Sequence, residues 1–267
     1  MPSALLHDAL APLRSNPSAS AVLLDIDGTL SPIVENAADA NVPEAIRQLL
    51  IAIARRYGVV ACISGRRASE ARAMVSIGSI TYIGSHGAEM LESGWTEAVL
   101  DPSVREWIPR IEQFRRESDT SELRRRRVRI EDKGPIVAFH WRGAGDEQAA
   151  RAAVDAIAAQ ADSGGLEVHW GRKVMEVRPP VRIDKGVGVS SLLSRSSVSV
   201  AMYAGDDVTD LDGFRALRTL AKAGQLARAL CVGVRSEEGP AAIEEQADLV
   251  VDGTSGMAEV LAALAAD

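Results

Sequence analysis

Residues 25–30 read Asp25-Ile26-Asp27-Gly28-Thr29-Leu30 and follow a short apolar run, Ala-Val-Leu-Leu, at 21–24. The run predicts a buried strand with two aspartates at its carboxyl end. Because residues i and i+2 of a strand share a face, the two carboxylates repel each other unless a cation or proton lies between them. Gly28 permits a turn where a Cβ would clash, and Thr29 adds a hydroxyl. The segment predicts a site for a hard divalent metal and a phosphate, with one carboxylate free to attack. Taken alone, an Asp-Gly turn is the alternative.

Apolar runs alternate with helical patterns on both sides of a differently patterned middle section. Strands are predicted at 59–63, 81–83, 198–203, 230–234 and 248–251, and helices at 43–56, from 68, 186–193 and 256–265. Continuous apolar strands in this alternation indicate an α/β fold with a parallel sheet covered on both faces.

The middle section, residues 102–180, has a different pattern. A helix is predicted at 104–116, a hairpin at 127–141, an alanine-rich helix at 146–161 and a second hairpin at 166–177. Half-exposed antiparallel strands with helices indicate a small α+β module. We therefore predict a core domain formed by 1–101 and 181–267, with the module inserted between its two parts.

Composition narrows the function classes. The chain has 267 residues, 46% hydrophobic and 25% charged, with a net charge of −7. This acidic balance gives no support to nucleic-acid or anionic-membrane binding. Cys62 and Cys231 lie in apolar runs, which favours reduced, buried thiols and a cytoplasmic protein. No apolar run reaches the roughly 20 residues of a membrane helix, and no signal-peptide pattern precedes the fold. We expect a monomer.

Three further segments place polar residues at strand ends or helix starts. They are Ser64-Gly65-Arg66, Asp184-Lys185-Gly186 and the run Gly-Asp-Asp-Val-Thr-Asp at 205–210. Alone, each has an ordinary alternative: a serine helix cap, a surface lysine, or acids favoured by a helix dipole. Ligands of open α/β sheets bind outside the carboxyl ends of the strands. All four segments are predicted there, so together they are far more specific than any one of them.

In this order the four segments match the motifs of the haloacid-dehalogenase-like phosphatase superfamily. Within it, the chain resembles the trehalose-6-phosphate phosphatase family at residues 64–66, 84–89, 131–133, 140–142 and 171–179. The resemblance implies a Rossmann-like core, a cap domain in place of the insertion, and Mg²⁺-dependent hydrolysis of trehalose 6-phosphate. The partner it implies is a small-molecule sugar phosphate.

Phosphate-ester hydrolysis requires an in-line nucleophile, neutralisation of the phosphoryl oxygens and protonation of the leaving alkoxide. These needs and the resemblance assign attack to Asp25 and acid–base work to Asp27. The predicted metal ligands are Asp25, the main-chain carbonyl of Asp27, and Asp206. The groups predicted to hold the phosphoryl oxygens or the adjoining substrate are Gly28, Thr29, Ser64, Gly65, Arg66 and Lys185. Asp207 and Asp210 are predicted to orient Lys185 or metal-bound waters.

The cap is predicted to bind the sugar through Glu131, Lys133, His140, Lys173 and Glu176. Pattern alone favours exposed hairpin charge for these residues, and the resemblance reverses that interpretation. Lys173 and Glu176 are three apart, so a bulge or strand end is required at one of them. His86 either contacts the substrate or orders its glycine-flanked loop. The arginine run 124–127 is read as a solvated face, and Arg178 as structural.

Three alternatives stay open from the sequence. The first is a phosphatase for another sugar phosphate, such as sucrose 6-phosphate or a mannosyl phosphoglycerate. The second is a phosphomannomutase. The third, from a different class, is an inactive sugar-phosphate-binding module, although the two leading acids, Lys185 and Asp206 are all present.

Overall fold

A computed structural model describes residues 4–34, 39–236 and 239–266. It separates them into two units. The larger unit comprises the described residues up to Val99 and from Ile183 onward, and the inserted unit is Leu100–Arg182. These limits lie within two residues of the predicted ones.

The chain alternates strands and helices in the following order. The strands are β1 (Ser20–Asp25), β2 (Val59–Ile63), β3 (Thr81–Gly84), β4 (Glu89–Leu91), β5 (Val99–Leu100), β6 (Arg129–Asp132), β7 (Val137–His140), β8 (Glu167–Gly171), β9 (Val174–Arg178), β10 (Val200–Gly205), β11 (Arg228–Arg235) and β12 (Leu249–Asp252). The helices are α1 (Ala4–Ser15), α2 (Glu44–Ala54), α3 (Ala68–Val75), α4 (Pro102–Arg105), α5 (Ile108–Ser118), α6 (Ser121–Arg125), α7 (Glu147–Ser163), α8 (Lys185–Leu193), α9 (Asp210–Lys222), α10 (Ala241–Gln246) and α11 (Gly253–Ala265). Every strand and helix predicted for the core is present.

The larger sheet has the order β12-β11-β10-β1-β2-β3-β4-β5. Pairing is parallel from β12 through to β3, and β4 runs antiparallel to β3. This confirms the α/β class and the predicted parallel sheet. The order places β1 centrally, between β10 and β2, so residues that follow these three strands lie at one edge of the sheet.

Strand β1 shows why the apolar run forms a central strand. All six of its residues are buried. Val22 and Leu24 join a core with α1, α2 and α11, whereas Ala21 and Leu23 join a second core with α8 and α9. Alternate residues thus enter the two layers that sandwich the sheet, which is why the run contains no polar side chain.

The inserted unit holds a four-stranded antiparallel sheet of order β6-β7-β9-β8. Its inner residues, including Phe139 and Met175, pack with apolar residues of α5 and α7. On the other face, Glu131, Ala138, Glu176 and His169 form one row across the four strands. Both predicted hairpin segments are strand pairs, and β9 pairs with β7 to unite them.

The single helix predicted at 104–116 is wrong. The structure has two helices, α4 and α5, because Pro109 lies in the first turn of α5. Proline lacks an N–H and its ring clashes with the carbonyl four residues earlier, so it starts a helix readily and interrupts a longer one.

Both cysteines are buried and unbonded to each other, as predicted. Burial raises the pKa of Cys62 above its ordinary range and that of Cys231 to about 12. Among the described helices, none combines the length and apolar character needed to cross a membrane.

Candidate active site

Four of the predicted site residues lie at the carboxyl edge of the larger sheet. Asp25 is the last residue of β1, Ser64 follows β2, and Asp206 follows β10. Lys185 is the first residue of α8. All four are buried. The topology therefore brings together residues that are up to 181 positions apart in the chain.

The centre of the site is a buried ion cluster. The Lys185 ammonium donates to Asp25 Oδ1 at 2.6 Å and to Asp210 Oδ1 at 2.7 Å. Burial lowers the pKa of Lys185, but the carboxylates of Asp210 and Asp25 outweigh burial and raise that pKa above its ordinary value. Burial, and next the Asp210 carboxylate, raise the pKa of Asp25 against the opposing effect of Lys185. The cluster thus holds a charged lysine against the predicted nucleophile.

Asp210 anchors this cluster. Its Oδ2 accepts from the backbone N–H groups of Asp206 and Asp207, each at 3.0 Å. Its Oδ1 accepts from the Tyr203 hydroxyl at 2.7 Å, in addition to Lys185. Asp210 therefore orients Lys185, as the sequence predicts. Asp207 has a different contact: its Oδ1 accepts from the N–H of Val208 at 2.7 Å.

Tyr203 is a site residue that the sequence analysis missed. It was included only as part of an apolar strand, three residues before Asp206. A signal was available, because a buried tyrosine hydroxyl requires a hydrogen-bond partner and acids follow directly. Burial, and next the charge of Asp210, raise the pKa of Tyr203, so the hydroxyl stays a donor.

The residues present fit a hard divalent cation. Carboxylate oxygens of Asp25, Asp206 and Asp210 lie within 4.8 Å of one another. When all are ionised, three carboxylates and one ammonium carry a net charge of −2, which a divalent cation would offset. Burial, and next the Asp210 carboxylate, raise the pKa of Asp206 to about 7. Oxygen-only ligands of this kind suit Mg²⁺.

Gly28 keeps the space beside Asp206 open. Its φ is +91°, and a Cβ built there would lie 2.1 Å from Asp206 Oδ2. Any larger residue would displace that carboxylate. The hydroxyl of the buried Thr29 donates to Asp206 Oδ1 at 3.3 Å. The loop after β1 therefore shapes the position of Asp206 as well as presenting Asp25 and Asp27.

Asp27 lies in different surroundings from Asp25, two residues away. Its carboxylate accepts from Arg66 Nε at 2.8 Å and from Arg66 Nη2 at 2.7 Å. Its side chain is 37% exposed, compared with 6% for Asp25. Arg66, predicted to contact substrate, is thus paired with the predicted acid–base residue. The Ser64 hydroxyl accepts from the Arg66 N–H at 3.1 Å.

His86 orders the loop beside Ser64. Its N–H donates to the Ser64 carbonyl at 3.1 Å, and the Ser85 N–H donates to the Arg66 carbonyl at 2.7 Å. A Cβ on Gly65 would lie 2.7 Å from the His86 ring, so the ring packs directly against the Gly65 backbone. Of the two predicted roles, the ordering role is present in the structure, and contact with substrate stays a prediction.

The predicted sugar-binding residues form pairs within the inserted unit. His140 Nε2 and Glu131 Oε2 lie 2.7 Å apart. The hydrogen bond from His140 is the largest effect that lowers the pKa of Glu131. The Lys133 ammonium donates to Glu176 Oε1 at 2.8 Å. These four residues are half-buried or buried.

Arg178 and Lys173 have separate partners. Arg178 Nε and Nη2 donate to Glu176 Oε2 at 3.1 and 2.5 Å, so the structural role predicted for Arg178 includes fixing Glu176. Lys173 precedes β9 with a φ of +60°, which is the strand end that its spacing from Glu176 requires. Its ammonium donates to Glu147 on α7 at 2.9 Å, so the structure pairs Lys173 with Glu147 and Glu176 with Lys133.

The fold and the acidic sheet edge define the class of protein. A haloacid dehalogenase-like hydrolase from Bacteroides thetaiotaomicron aligns with a TM-score of 0.61 at 15% identity, covering 91% of this chain and 98% of that one. The chain has the haloacid-dehalogenase-like fold.

More specific comparisons identify the family. The trehalose-phosphatase family profile matches residues 23–248, so the chain belongs to the trehalose-phosphatase family. A trehalose-phosphate phosphatase of Mycobacterium marinum is 35% identical over 208 residues, which cover 74% of this chain and 51% of that protein. The C-terminal domain of trehalose-6-phosphate phosphatase from C. albicans aligns with a TM-score of 0.72 at 21% identity, covering 98% and 95% of the two chains. The chain spans about half the length of the curated relatives it matches.

Proposed function

We propose that this protein is a Mg²⁺-dependent phosphatase that hydrolyses trehalose 6-phosphate to trehalose and phosphate, the phosphatase step of trehalose biosynthesis. The observation that carries the proposal is the buried contact of Lys185 with Asp25 and Asp210, beside Asp206. Family membership supports the choice of substrate.

In the first half-reaction an Asp25 carboxylate oxygen attacks phosphorus and the bond from phosphorus to the sugar oxygen breaks. The product is an aspartyl phosphate, and the departing alkoxide takes a proton from the Asp27 carboxylic acid. Lys185 and the Ser64 hydroxyl offset and bind charge on the phosphoryl oxygens. The pair between Asp27 and Arg66 has to open for Asp27 to carry this proton.

In the second half-reaction water attacks phosphorus, and the bond from phosphorus to the Asp25 oxygen breaks. The Asp27 carboxylate accepts the proton of that water, which restores both aspartates for the next cycle and releases inorganic phosphate. Arg66 pairs with Asp27 as a carboxylate, which is the form that this half-reaction uses.

Asp25 and Asp206, with the main-chain carbonyl of Asp27, would hold the magnesium ion. When bound, Mg²⁺ supplies positive charge beside the phosphoryl oxygens. Asp210 has another task in this scheme, because its two carboxylate oxygens already accept hydrogen bonds from four donors.

We further propose that the polar face of the inserted unit binds the sugar. Sugar hydroxyls both donate and accept, and charged side chains in fixed directions bind them well. Glu131 with His140, and Glu176 with Lys133, provide such groups on neighbouring strands. Ala138 lies between Glu131 and Glu176 in the same row and leaves room above the sheet.

The test is phosphate release from a panel of monoesters, with and without Mg²⁺. The panel contains trehalose 6-phosphate, sucrose 6-phosphate, a mannosyl phosphoglycerate and an aryl phosphate. We expect Mg²⁺-dependent release with a kcat/KM highest for trehalose 6-phosphate. Preference for another sugar phosphate would contradict the substrate assignment, and isomerisation of a hexose phosphate without phosphate release would indicate a mutase. Tight binding without release would indicate an inactive binding module.

A further inference from the structure

We propose that Tyr203 is a positioning residue for the phosphatase reaction, because it fixes the Asp210 carboxylate that holds Lys185 against the nucleophile. The inference rests on the proposed function. Tyr203 reaches Asp25 only through Asp210 and Lys185: its hydroxyl is 2.7 Å from Asp210 Oδ1, which is 2.7 Å from Lys185 Nζ.

The first step of the argument is the division of labour on Asp210. Two backbone N–H groups bind Oδ2, so they place that oxygen relative to the loop after β10. They leave rotation of the carboxylate about its own axis to be set at Oδ1. There, Tyr203 and Lys185 both donate. Because Lys185 is a flexible side chain shared with Asp25, the tyrosine hydroxyl is the rigid member of the pair.

The second step is that the Tyr203 ring itself is held in place. Tyr203 lies in β10 and is fully buried. Its ring meets Phe214 edge-on, with 6.0 Å between centroids. A Cβ on Gly213 would lie 2.7 Å from the ring, so α9 approaches the tyrosine more closely than any other residue at 213 would permit. The hydroxyl therefore has one position, set by the packing of α9 on the sheet.

The third step is the electrostatic consequence. Donation from Tyr203 offsets part of the negative charge on Oδ1, which moderates the attraction between Asp210 and Lys185. Without the hydroxyl, the carboxylate is free to turn and the lysine is drawn toward it, away from Asp25. The ammonium is then less well placed for the phosphoryl oxygens that develop charge during transfer.

The test compares Tyr203→Phe with Tyr82→Phe as a matched control. Tyr82 is also fully buried in the same sheet, and its hydroxyl donates to the Ile77 carbonyl at 2.6 Å, so its loss removes one buried hydrogen bond away from Asp210. With trehalose 6-phosphate and with an aryl phosphate, Tyr203→Phe is expected to lower kcat about tenfold and to leave KM within about twofold. Tyr82→Phe is expected to keep the wild-type kcat. Equal kcat in the two variants would overturn the proposal.

A double-mutant cycle separates positioning from general destabilisation. If Tyr203 acts through Asp210, then adding Tyr203→Phe to Asp210→Asn causes no further loss of kcat. An additional tenfold loss in the Asp210→Asn background would overturn the proposal. Crystal structures of wild type and Tyr203→Phe give a readout that needs no turnover: the distance from Lys185 Nζ to Asp25 Oδ1 is expected to lengthen. If the wild type hydrolyses no monoester, the proposed function fails, and an unchanged distance then overturns the Tyr203 proposal separately.

Discussion

The larger unit and the inserted unit both carry clusters of acids and bases, but they bury them to different degrees. The side chains of Lys185 and Asp210 expose 4% and 0% of their surface, whereas those of Lys173 and Glu147 expose 42% and 38%. Burial raises the pKa of Asp25 and Asp206, while hydrogen bonds from His140 and Lys173 lower the pKa of Glu131 and Glu147, respectively.

This difference indicates two kinds of site. In the larger unit, desolvated carboxylates outnumber the lysine, so the cluster favours an added cation and an electrophile. In the inserted unit, each acid is paired with a base near solvent, where a ligand's hydroxyl groups can replace either partner at small cost. The first arrangement suits chemistry and the second suits exchangeable recognition.

The most severe test of the comparison is Asp25→Asn. The amide keeps the shape of the side chain but removes the nucleophile, so kcat is expected to fall about 10⁴-fold or more. Circular dichroism and thermal unfolding check that the fold is retained. Substantial remaining turnover would contradict the assignment of attack to Asp25.

The next test addresses the inserted unit through Glu176→Gln. Loss of the charge that Lys133 and Arg178 bind is expected to raise KM for trehalose 6-phosphate about 10–100-fold. KM for an aryl phosphate is expected to stay unchanged. The control is Glu167→Gln, on the neighbouring strand β8, where an exposed glutamate lies 3.4 Å from His169. Equal increases in KM for both substrates would remove the distinction between the two units.

The charge of the larger site predicts a pH-dependent Mg²⁺ affinity. Because the folded pKa of Asp206 is about 7, above its ordinary value of 3.8, metal binding below pH 7 displaces a proton. The Kd for Mg²⁺ is expected to fall about tenfold per pH unit between pH 5 and 7 and then to level off. Calorimetric titration measures this, and Asp206→Asn is expected to abolish the dependence.

The same pKa shift has a sign for stability. Without metal, the folded state binds more protons than the unfolded state between about pH 4 and 7, so Asp206 makes the free energy of unfolding decrease as pH rises through that window. Thermal unfolding of the metal-free protein is therefore expected to show its lower midpoint at pH 7 than at pH 5. Mg²⁺ is expected to raise the midpoint more at the higher pH.

The smallest expected effect is that of Lys173→Ala. Its pair with Glu147 is exposed, so the free energy of unfolding is expected to change by less than about 1 kcal/mol. If Lys173 contacts the sugar, KM rises for trehalose 6-phosphate alone, by less than for Glu176→Gln. A larger increase than that of Glu176→Gln would reverse the order of importance that the contacts predict.

Much of the fold was accessible from the sequence because burial leaves a clear pattern in parallel strands. The apolar run before Asp25 is buried on both faces, so every residue in it had to be apolar. The error at 104–116 arose from reading periodicity alone, since Pro109 interrupts a pattern that continues on both sides of it. The pairing of β9 with β7, which joins the two hairpin segments, had no local signal at all.

The site was accessible in part for a similar reason. Acids at strand ends indicate a ligand edge, so Asp25, Ser64, Lys185 and Asp206 could be grouped before any geometry was known. Partners were not accessible. Nothing in the sequence pairs Arg66 with Asp27, or Lys173 with Glu147, because those contacts depend on how separate loops and helices are placed.

The sequence by itself determined the α/β class, the family motifs and the residue types at the sheet edge, because these depend on local pattern and spacing. Only the tertiary structure decided which carboxylate is buried with Lys185 and which is half-exposed with Arg66. It also decided that Tyr203 donates to Asp210. Those outcomes follow from the order β10-β1-β2 and from the close approach of α9 at Gly213, which bring distant residues within hydrogen-bonding distance.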